Sequence, residues 1–170
     1  MKAFCILVVF LLLGNFAEAR KVFKADRIVE NAKAFQEIQR LVAGKHFVVE
    51  INRVYPQSGF DVSRFNPTGK IIVNDSVAQG HLPFFGRAYS LPYNEGGGIS
   101  FDNTMQAVSI KTIEKRKKQV VSINFTVWGN NDVYQITIEA VPDGSCSVNL
   151  TSNNRAQIAY SGTISLPEEK

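Results

Sequence analysis

The chain has 170 residues, and its 19 lysines and arginines exceed its 15 aspartates and glutamates by four. A net charge of +4 favours solubility, but it is far below the basic surface of a nucleic-acid-binding domain, so no nucleic-acid partner is expected. The length suits one domain with a sizeable hydrophobic core.

The first 20 residues have the pattern of a secretory signal peptide. Lys2 supplies a positive start, and Ala3–Leu13 are almost uniformly apolar over a stretch too short to span a membrane. Ala17 and Ala19 are the small residues that a signal peptidase inspects, which predicts cleavage between Ala19 and Arg20.

The expected mature protein is a single domain of residues 20–170 that is periplasmic or secreted. Cys5 lies too early for the cysteine of a lipoprotein, so no lipid anchor is expected, and no transmembrane segment is expected after cleavage. Only Cys146 remains in the mature chain, which excludes an internal disulfide.

One amphipathic helix is predicted, from Asp26 to Gly44. Asp26 is a suitable N-cap, and Gly44 is a natural stop. Apolar residues recur every three or four positions and form one stripe that is expected to pack onto the rest of the protein, namely Ile28, Ala32, Phe35, Ile38 and Leu41.

After Lys45 the period of the apolar residues changes to two, which is typical of half-buried strands. Turns are predicted at WGNND (128–132) and at Pro142-Asp143-Gly144. The residues expected to face inward are Phe47, Val49, Ile51, Val121, Ile123, Phe125, Val127, Tyr134, Ile136, Ile138, Ala140, Cys146, Val148, Leu150, Ile158, Tyr160 and Ile164.

The predicted fold is therefore mainly β, of the α+β kind. One N-terminal helix packs on about 9–10 antiparallel strands, with none of the strand–helix alternation of a parallel sheet. A closed or nearly closed β-barrel and a two-sheet β-sandwich both fit this pattern; a barrel has the advantage of leaving no free strand edge.

The sequence contains little that indicates catalysis. Cys146 shares its strand parity with core residues, so it is interpreted as a buried cysteine and not a nucleophile. His46 and His81 show no metal-ligand spacing, and no GxSxG motif is present. No catalytic residue, metal or cofactor is predicted, and the absence of these motifs favours a protein that is not an enzyme.

Two short segments are candidates for a function beyond the fold. EKRKK (114–118) suits the solvated turn of a hairpin, although it could also contact phosphate groups or anionic lipid heads. Asp75-Ser76-Val77 resembles the sequon for O-linked glycosylation in Bacteroidetes, which makes Ser76 a candidate modification site.

The segment HLPFFGRAYSLPYNEGGGISF (81–101) is rich in aromatic residues, prolines and glycines. Gly96–Gly98 lead into a strand pattern and not into a helix, which favours a bend or bulge over a phosphate-binding loop. The aromatic residues either pack inward as a lid or face outward as a binding surface. The candidate ligand-binding residues here are His81, Phe84, Phe85, Arg87, Tyr89 and Tyr93.

The sequence resembles the secreted Bacteroidetes proteins of domain of unknown function 4251. The resemblance is carried by this segment, by the downstream SNNRAQIAYSGTIS (152–165), by the N-terminal helix and by the strand at 47–50. The resemblance covers essentially the whole mature chain. It adds Arg155, in the SNNR sequence, to the candidate ligand-binding residues. It implies no established activity, cofactor or catalytic residue.

Three functions are compatible with these features. The first is a non-catalytic binding protein of the periplasm or cell surface whose ligand is small and apolar or amphipathic, with Arg87 as a possible anion partner. The second is an interaction or structural module of the cell envelope. The third, an envelope hydrolase, requires His81, Arg87 and a carboxylate such as Glu95 to converge.

Overall fold

The computed structural model of the chain describes residues 29–59, 62, 65–90, 97–115, 118–129 and 132–167. The expected signal peptide and its cleavage site therefore lie outside the described residues. The chain divides into two compact units, Met1–Ala34 and Phe35–Lys170. The described residues of the first unit, 29–34, are helical, and the second unit contains the remainder of this helix and all nine strands.

The helix, α1, comprises residues 29–43, so the expected N-cap Asp26 lies outside the described residues. Phe35 and Ile38 are buried as predicted, and Val42 is completely buried. Leu41 is half-buried and packs against the core, as predicted, and Ile28 lies outside the described residues. Ala32 is exposed, which corrects the predicted stripe at that position. No helix in the described part of the chain is long and apolar enough to cross a membrane.

Gly44 follows α1 directly, in agreement with its predicted role as a stop. Its N–H donates to the carbonyl of Arg40 at 2.9 Å, and the N–H of Lys45 donates to that of Val42 at 3.0 Å. The left-handed residue of this helix end is Lys45, with a φ of 47°, and not the glycine.

In the part of the chain that the structure describes, nine strands form one antiparallel sheet. Their bounds are β1 (His46–Pro56), β2 (Gly69–Asn74), β3 (Val77–Leu82), β4 (Ile99–Thr104), β5 (Gln106–Lys115), β6 (Lys118–Trp128), β7 (Val133–Ala140), β8 (Ser145–Ser152) and β9 (Ile158–Ser165). Their order across the sheet is β4-β3-β2-β1-β9-β8-β7-β6-β5. The sheet is nearly closed and barrel-like, which confirms the mainly-β prediction and decides between barrel and sandwich.

Closure depends on one long segment that bends from one edge of the sheet to the other. β4 pairs with β3, while Phe101 on β4 also makes an isolated bridge to Gly129 just after β6. After Met105 the same segment continues as β5, which pairs with β6. A register shift between Gln106 and Ser109, with Ala107 at a φ of 52°, accommodates the bend.

The inward-facing residues predicted on β6, β7, β8 and β9 are all buried, and Cys146 is among them. On β1 a register shift between Ile51 and Arg53 changes the phase, so that Val54 follows Ile51 into the core. β1 and β9 approach closely beside this shift, because a Cβ at Gly162 would overlap the backbone carbonyl of Glu50.

The turn at Pro142-Asp143-Gly144 forms as predicted, with Gly144 at a φ of 79° and its N–H bonded to the carbonyl of Val141. Neighbouring strands run antiparallel, so the connections between strands alternate between the two ends of the sheet. Four connections lie at the end opposite this turn, namely β1–β2, β3–β4, β6–β7 and β8–β9. This end, called the loop end below, contains most of the candidate ligand-binding residues.

Candidate functional site

The two sequence segments that carry the family resemblance pair with each other at the loop end. Ala88 and Arg155 form an antiparallel bridge. On either side of it, the N–H of Ala156 donates to the carbonyl of Arg87 at 2.8 Å, and the N–H of Tyr89 donates to that of Asn154 at 2.7 Å. The backbone between β3 and β4 is thereby fastened to the backbone between β8 and β9.

Arg155 is buried, with 4% of its surface exposed, and its guanidinium connects three loops. Nη1 donates to the carbonyl of Gly97 at 3.2 Å, and Nε lies 3.8 Å from Oδ2 of Asp132. The guanidinium carbon lies 5.2 Å from the centre of the Phe84 ring, within the range of a cation–π contact. A buried cation needs such partners, because its desolvation is costly.

Asp132 is as buried as the cation that it faces, with 7% of its side chain exposed. Its Oδ1 accepts the N–H of Val133 at 2.9 Å, and its Oδ2 accepts the hydroxyl of Ser152 at 2.7 Å. The Ser152 hydroxyl oxygen accepts in turn the N–H groups of Asn154, at 3.2 Å, and Arg155, at 3.0 Å. Hydrogen bonds among these residues thus fix the turn that carries Arg155.

Sequence reasoning missed Asp132 and Ser152. Asp132 was predicted only as part of the WGNND turn, where the N–H of Gly129 does donate to the Asp132 carbonyl at 2.9 Å. No local pattern distinguishes this aspartate, because its partners lie about 20 residues further along the chain and meet it only in the barrel. Residues 130–131 lie outside the described residues.

Phe84 and Phe85 are half-buried and pack against the hydrophobic core. Phe85 also stacks on Phe65, from the β1–β2 connection, with ring centres 5.7 Å apart and an angle of 22° between the planes. Phe65 itself is 61% exposed. The stacked pair therefore extends from the core to an exposed aromatic face, which sequence reasoning did not anticipate.

Pro83, the residue before the two phenylalanines, accepts a hydrogen bond from a buried side chain. The hydroxyl of Tyr160, on β9, donates to the carbonyl of Pro83 at 3.0 Å. Burial raises the pKa of Tyr160 well above its usual value, so this donor stays protonated at neutral pH.

Arg87 and Tyr89 have the opposite environment from Phe84. Arg87 is exposed and Tyr89 is 68% exposed, whereas Ala88 between them is half-buried. Side chains alternate along an extended backbone, so Arg87 and Tyr89 lie on the same outward face. The segment thus presents a cation and an aromatic ring side by side to solvent.

His81 lies at the end of β3 and is exposed. Its Nδ1 is 3.0 Å from the hydroxyl oxygen of Ser100 on the neighbouring strand β4. Tyr93 and Glu95 lie outside the described residues, so the convergence that a hydrolase requires stays a prediction. Gly97 and Gly98 form a bend that leads directly into β4, in agreement with the interpretation of the glycine run as a bend.

Chemically reactive groups are sparse in the described ranges. Among these residues no group of three histidine, cysteine or acidic side chains is placed to hold a metal ion. Burial raises the pKa of Cys146 to about 12, so its sulfur is a thiol and not a reactive thiolate at neutral pH.

Ser76 lies in the exposed turn between β2 and β3. Asp75 adopts a left-handed φ of 53°, and the carbonyl of Ser76 accepts the N–H of Met105 at 2.7 Å. The EKRKK segment joins β5 to β6 through the paired residues Lys115 and Lys118, while residues 116–117 between them lie outside the described residues.

Comparison with known proteins gives a consistent result. The family profile described as Domain of unknown function (DUF4251) matches residues 29–164. The crystal structure of a DUF4251 family protein from Bacteroides eggerthii is similar, with a TM-score of 0.53, 22% identity and coverage of 80% of this chain and 89% of that chain. At this identity the likeness shows the fold. Curated proteins give no match. Since the profile extends from the start of α1 into β9, the chain belongs to the DUF4251 family.

Proposed function

We propose that the protein is an exported, non-catalytic binding protein of the periplasm or cell surface, and that its ligand is small and amphipathic. The observation that carries this proposal is that the side chains of Arg87 and Tyr89 face outward at the loop end. They come shortly after Phe85 in the sequence, and the ring that stacks on Phe85, that of Phe65, is also exposed. Aromatic faces suit the apolar part of such a ligand, and a guanidinium suits an anionic group.

Of the two arginines predicted for this site, Arg87 is the better anion partner. The guanidinium of Arg155 is already engaged by Gly97, Asp132 and Phe84, and it is 4% exposed. An anion at Arg155 would have to displace the buried carboxylate of Asp132. Arg87 is exposed, so its guanidinium can bind an anion without such a loss.

Native purification tests whether a ligand exists. Mass spectrometry of the protein purified from its host under non-denaturing conditions is expected to show a retained small molecule of mixed polarity. If the purified protein retains no small molecule and also fails to bind the two probes described next, the proposal is contradicted.

Binding of dodecyl phosphate, compared with the uncharged dodecyl maltoside, tests the chemistry of the site. Isothermal titration calorimetry below the critical micelle concentrations is expected to show tighter binding of the phosphate. Arg87→Ala should remove this preference, and Tyr89→Ala should weaken both ligands. Arg40→Ala, which removes an exposed arginine on α1, and Tyr55→Ala, which removes an exposed tyrosine on β1, are matched controls. Equal effects of Arg87→Ala and Arg40→Ala would exclude a specific anion contact.

Export rests on the pattern of residues 1–20 and has its own test. N-terminal sequencing of the protein recovered from the periplasm or medium should begin at Arg20. An intact Met1, or recovery of the protein from the cytoplasm alone, would contradict export.

O-glycosylation of Ser76 is a further part of the proposal, supported by the exposure of the β2–β3 turn. The intact mass of the exported protein should exceed its sequence mass, and Ser76→Ala should abolish the difference. Ser145→Ala, at the exposed first position of β8, should leave it unchanged. An unmodified peptide containing Ser76 would exclude this modification.

The hydrolase hypothesis has little support among the described residues. The neighbour shown for the His81 ring is a serine hydroxyl, and the buried Cys146 thiol is a poor nucleophile.

A further inference from the structure

The outer face of strands β6 to β9 is almost free of charge. The inward side chains of these strands fill the core, so the alternate residues point to the outside of the barrel. From Val120 onward, the strand residues of β6 to β9 include a single charged side chain, Glu139, although charged residues make up 20% of the whole chain. The outer face of β1 and β2, in contrast, carries the ion pair of Glu50 and Lys70.

A row of paired residues crosses this face at right angles to the strands. Asn124 on β6 pairs with Thr137 on β7, which pairs with Asn149 on β8. Asn149 pairs in turn with Ala159 on β9, and Ala159 with Tyr55 on β1. Neighbouring strands lie about 4.8 Å apart, so the row is about 19 Å long. The outward side chains of β6 to β9, together with Tyr55, are called the neutral face below.

The polar groups of this row are ordered and accessible. The hydroxyl of Thr137 donates to Oδ1 of Asn124 at 2.7 Å, and Nδ2 of Asn124 donates to the hydroxyl of Ser122 at 3.3 Å. The Asn149 side chain is half-buried, and it has no hydrogen-bond partner among the residues that the structure describes. Its amide, with two donor hydrogens and an acceptor oxygen, is therefore available to a ligand.

Exposed aromatic rings border the neutral face on both sides. Tyr55 is 51% exposed, and its neighbour in the row is the small Ala159. The hydroxyl of Tyr55 forms hydrogen bonds with Ser161 on β9 and with Arg53, which lower its pKa and hold the ring in place. Trp128, the last residue of β6, is also 51% exposed. Such rings offer flat surfaces on which another apolar face can stack.

The chemistry of the neutral face indicates which kind of partner it accepts. Nucleic acids and anionic lipid surfaces are bound through clustered cations, whereas the one charged side chain here, Glu139, is an anion. Protein interfaces centre on apolar anchors, whereas the centre of this face consists of amides and hydroxyls. A neutral glycan matches both of its features. Sugar hydroxyls exchange hydrogen bonds with amides and hydroxyls, and the apolar faces of sugar rings stack on aromatic side chains.

We propose that the neutral face binds a neutral glycan chain that lies across strands β6 to β9. The spacing between strands is close to the length of one sugar unit, so the row from Asn124 to Tyr55 accommodates about four units. The two asparagines and the threonine of the row bind hydroxyl groups, and Tyr55 stacks on a sugar ring. Trp128 contacts the glycan at the other border. This site is separate from the proposed ligand site at Arg87 and Tyr89, so each proposal can fail without the other.

An array of immobilised glycans tests the class of ligand. The full mature chain, fluorescently labelled, is expected to bind at least one neutral polysaccharide among glucans, mannans, galactans and xylans. Sulfated and uronate-containing glycans should bind more weakly, because the face offers them no cations. The absence of binding to every neutral glycan would overturn the proposal. Stronger binding of acidic glycans that is lost at high salt would also overturn it.

Isothermal titration calorimetry with the neutral glycan that binds most tightly tests the location of the site. Tyr55→Ala should weaken binding about tenfold, because a stacking surface is lost. Gln135, exposed on the neutral face between Thr126 and Thr151, offers a second variant, and Gln135→Ala should weaken binding about two- to tenfold. Tyr89→Ala at the loop end and Gln79→Ala on β3 remove matched exposed side chains and should leave the affinity unchanged.

Trp128 is the single tryptophan of the chain, so its fluorescence reports directly on this face. The glycan should change the emission of the wild-type protein and of Tyr89→Ala alike. Wild-type affinity in both Tyr55→Ala and Gln135→Ala would overturn the proposal. A dimer of the wild-type protein in sedimentation that Tyr55→Ala dissociates would overturn it as well, since the occupant would be a second copy.

Discussion

The two halves of the Pro83–Tyr89 segment have opposite environments, although they are adjacent in sequence. In the first half, the carbonyl of Pro83 accepts the Tyr160 hydroxyl, and Phe84 packs beneath the Arg155 guanidinium. In the second half, the backbone is bridged to residues 154–156, but the side chains of Arg87 and Tyr89 face solvent.

This difference shows how one short motif can contribute to stability and also present side chains for the binding proposed above. Buried partners fix the first half, so substitutions there are expected to reduce the free energy of unfolding. The second half is positioned by its backbone, which leaves its side chains free to contact a ligand. The question of whether the aromatic residues form a lid or a surface thus has a divided answer: Phe84 and Phe85 pack inward, while Tyr89 faces outward.

The largest expected effect is that of Arg155→Met. This substitution leaves the buried Asp132 carboxylate without its cation, and breaking such a pair costs about 3–5 kcal/mol of unfolding free energy. Urea denaturation of both proteins measures the difference. A loss below about 1 kcal/mol would show that the hydrogen bonds from Ser152 and Val133 suffice for Asp132.

Phe84→Ala is expected to have an intermediate effect. The ring is half-buried and also contacts the Arg155 guanidinium, so its removal should cost about 1–3 kcal/mol, less than a fully buried phenylalanine. The same denaturation experiment measures it. An effect as small as that of Tyr89→Ala would contradict the distinction between the two halves.

Tyr160→Phe tests the fastening of Pro83 and predicts a pH dependence. At neutral pH the variant should lose about 0.5–1.5 kcal/mol, because the Pro83 carbonyl loses its donor. The pKa of Tyr160 is raised in the folded protein, so above about pH 10 the unfolded chain loses this proton first and the wild-type protein is destabilised. The advantage of wild type over Tyr160→Phe should therefore shrink above pH 10. Cys146 is present in both proteins and cancels. An advantage that persists unchanged to higher pH would contradict the burial of this hydroxyl.

Arg87→Ala and Tyr89→Ala are expected to have the smallest effect on stability. Exposed side chains without buried partners usually change the unfolding free energy by less than about 0.5 kcal/mol. Thermal unfolding measures this directly. A loss above about 1 kcal/mol in either variant would indicate a structural role and would weaken the assignment of this half to ligand binding.

Much of the fold was predictable because the spacing of apolar residues and the turn sequences are local features of the chain. Alternating apolar residues identified the inward faces of β6 to β9, and Pro142-Asp143-Gly144 identified the turn between β7 and β8. Local pattern failed where the chain departs from regular geometry. The register shift after Ile51 changes which residues of β1 face the core, and Ala32 fits the helical period but is exposed.

The candidate site was predictable only in part. Phe84, Phe85, Arg87, Tyr89 and Arg155 stood out by composition and by family resemblance, and the loop end brings these five together along two paired segments. The sequence identified Arg87 as a possible anion partner, but it did not indicate that Arg155 is buried and faces Asp132.

Composition and periodicity alone therefore established a mainly-β chain with one helix and identified the segment that distinguishes it. Tertiary structure decided which arginine is buried and which is exposed, because burial depends on groups such as Asp132 and Gly97 that are remote in sequence. It also decided that the sheet nearly closes through the bend between β4 and β5. Short-range steric preferences act within a few residues, whereas ion pairing, close backbone approach and sheet closure depend on contacts that form only when distant strands meet.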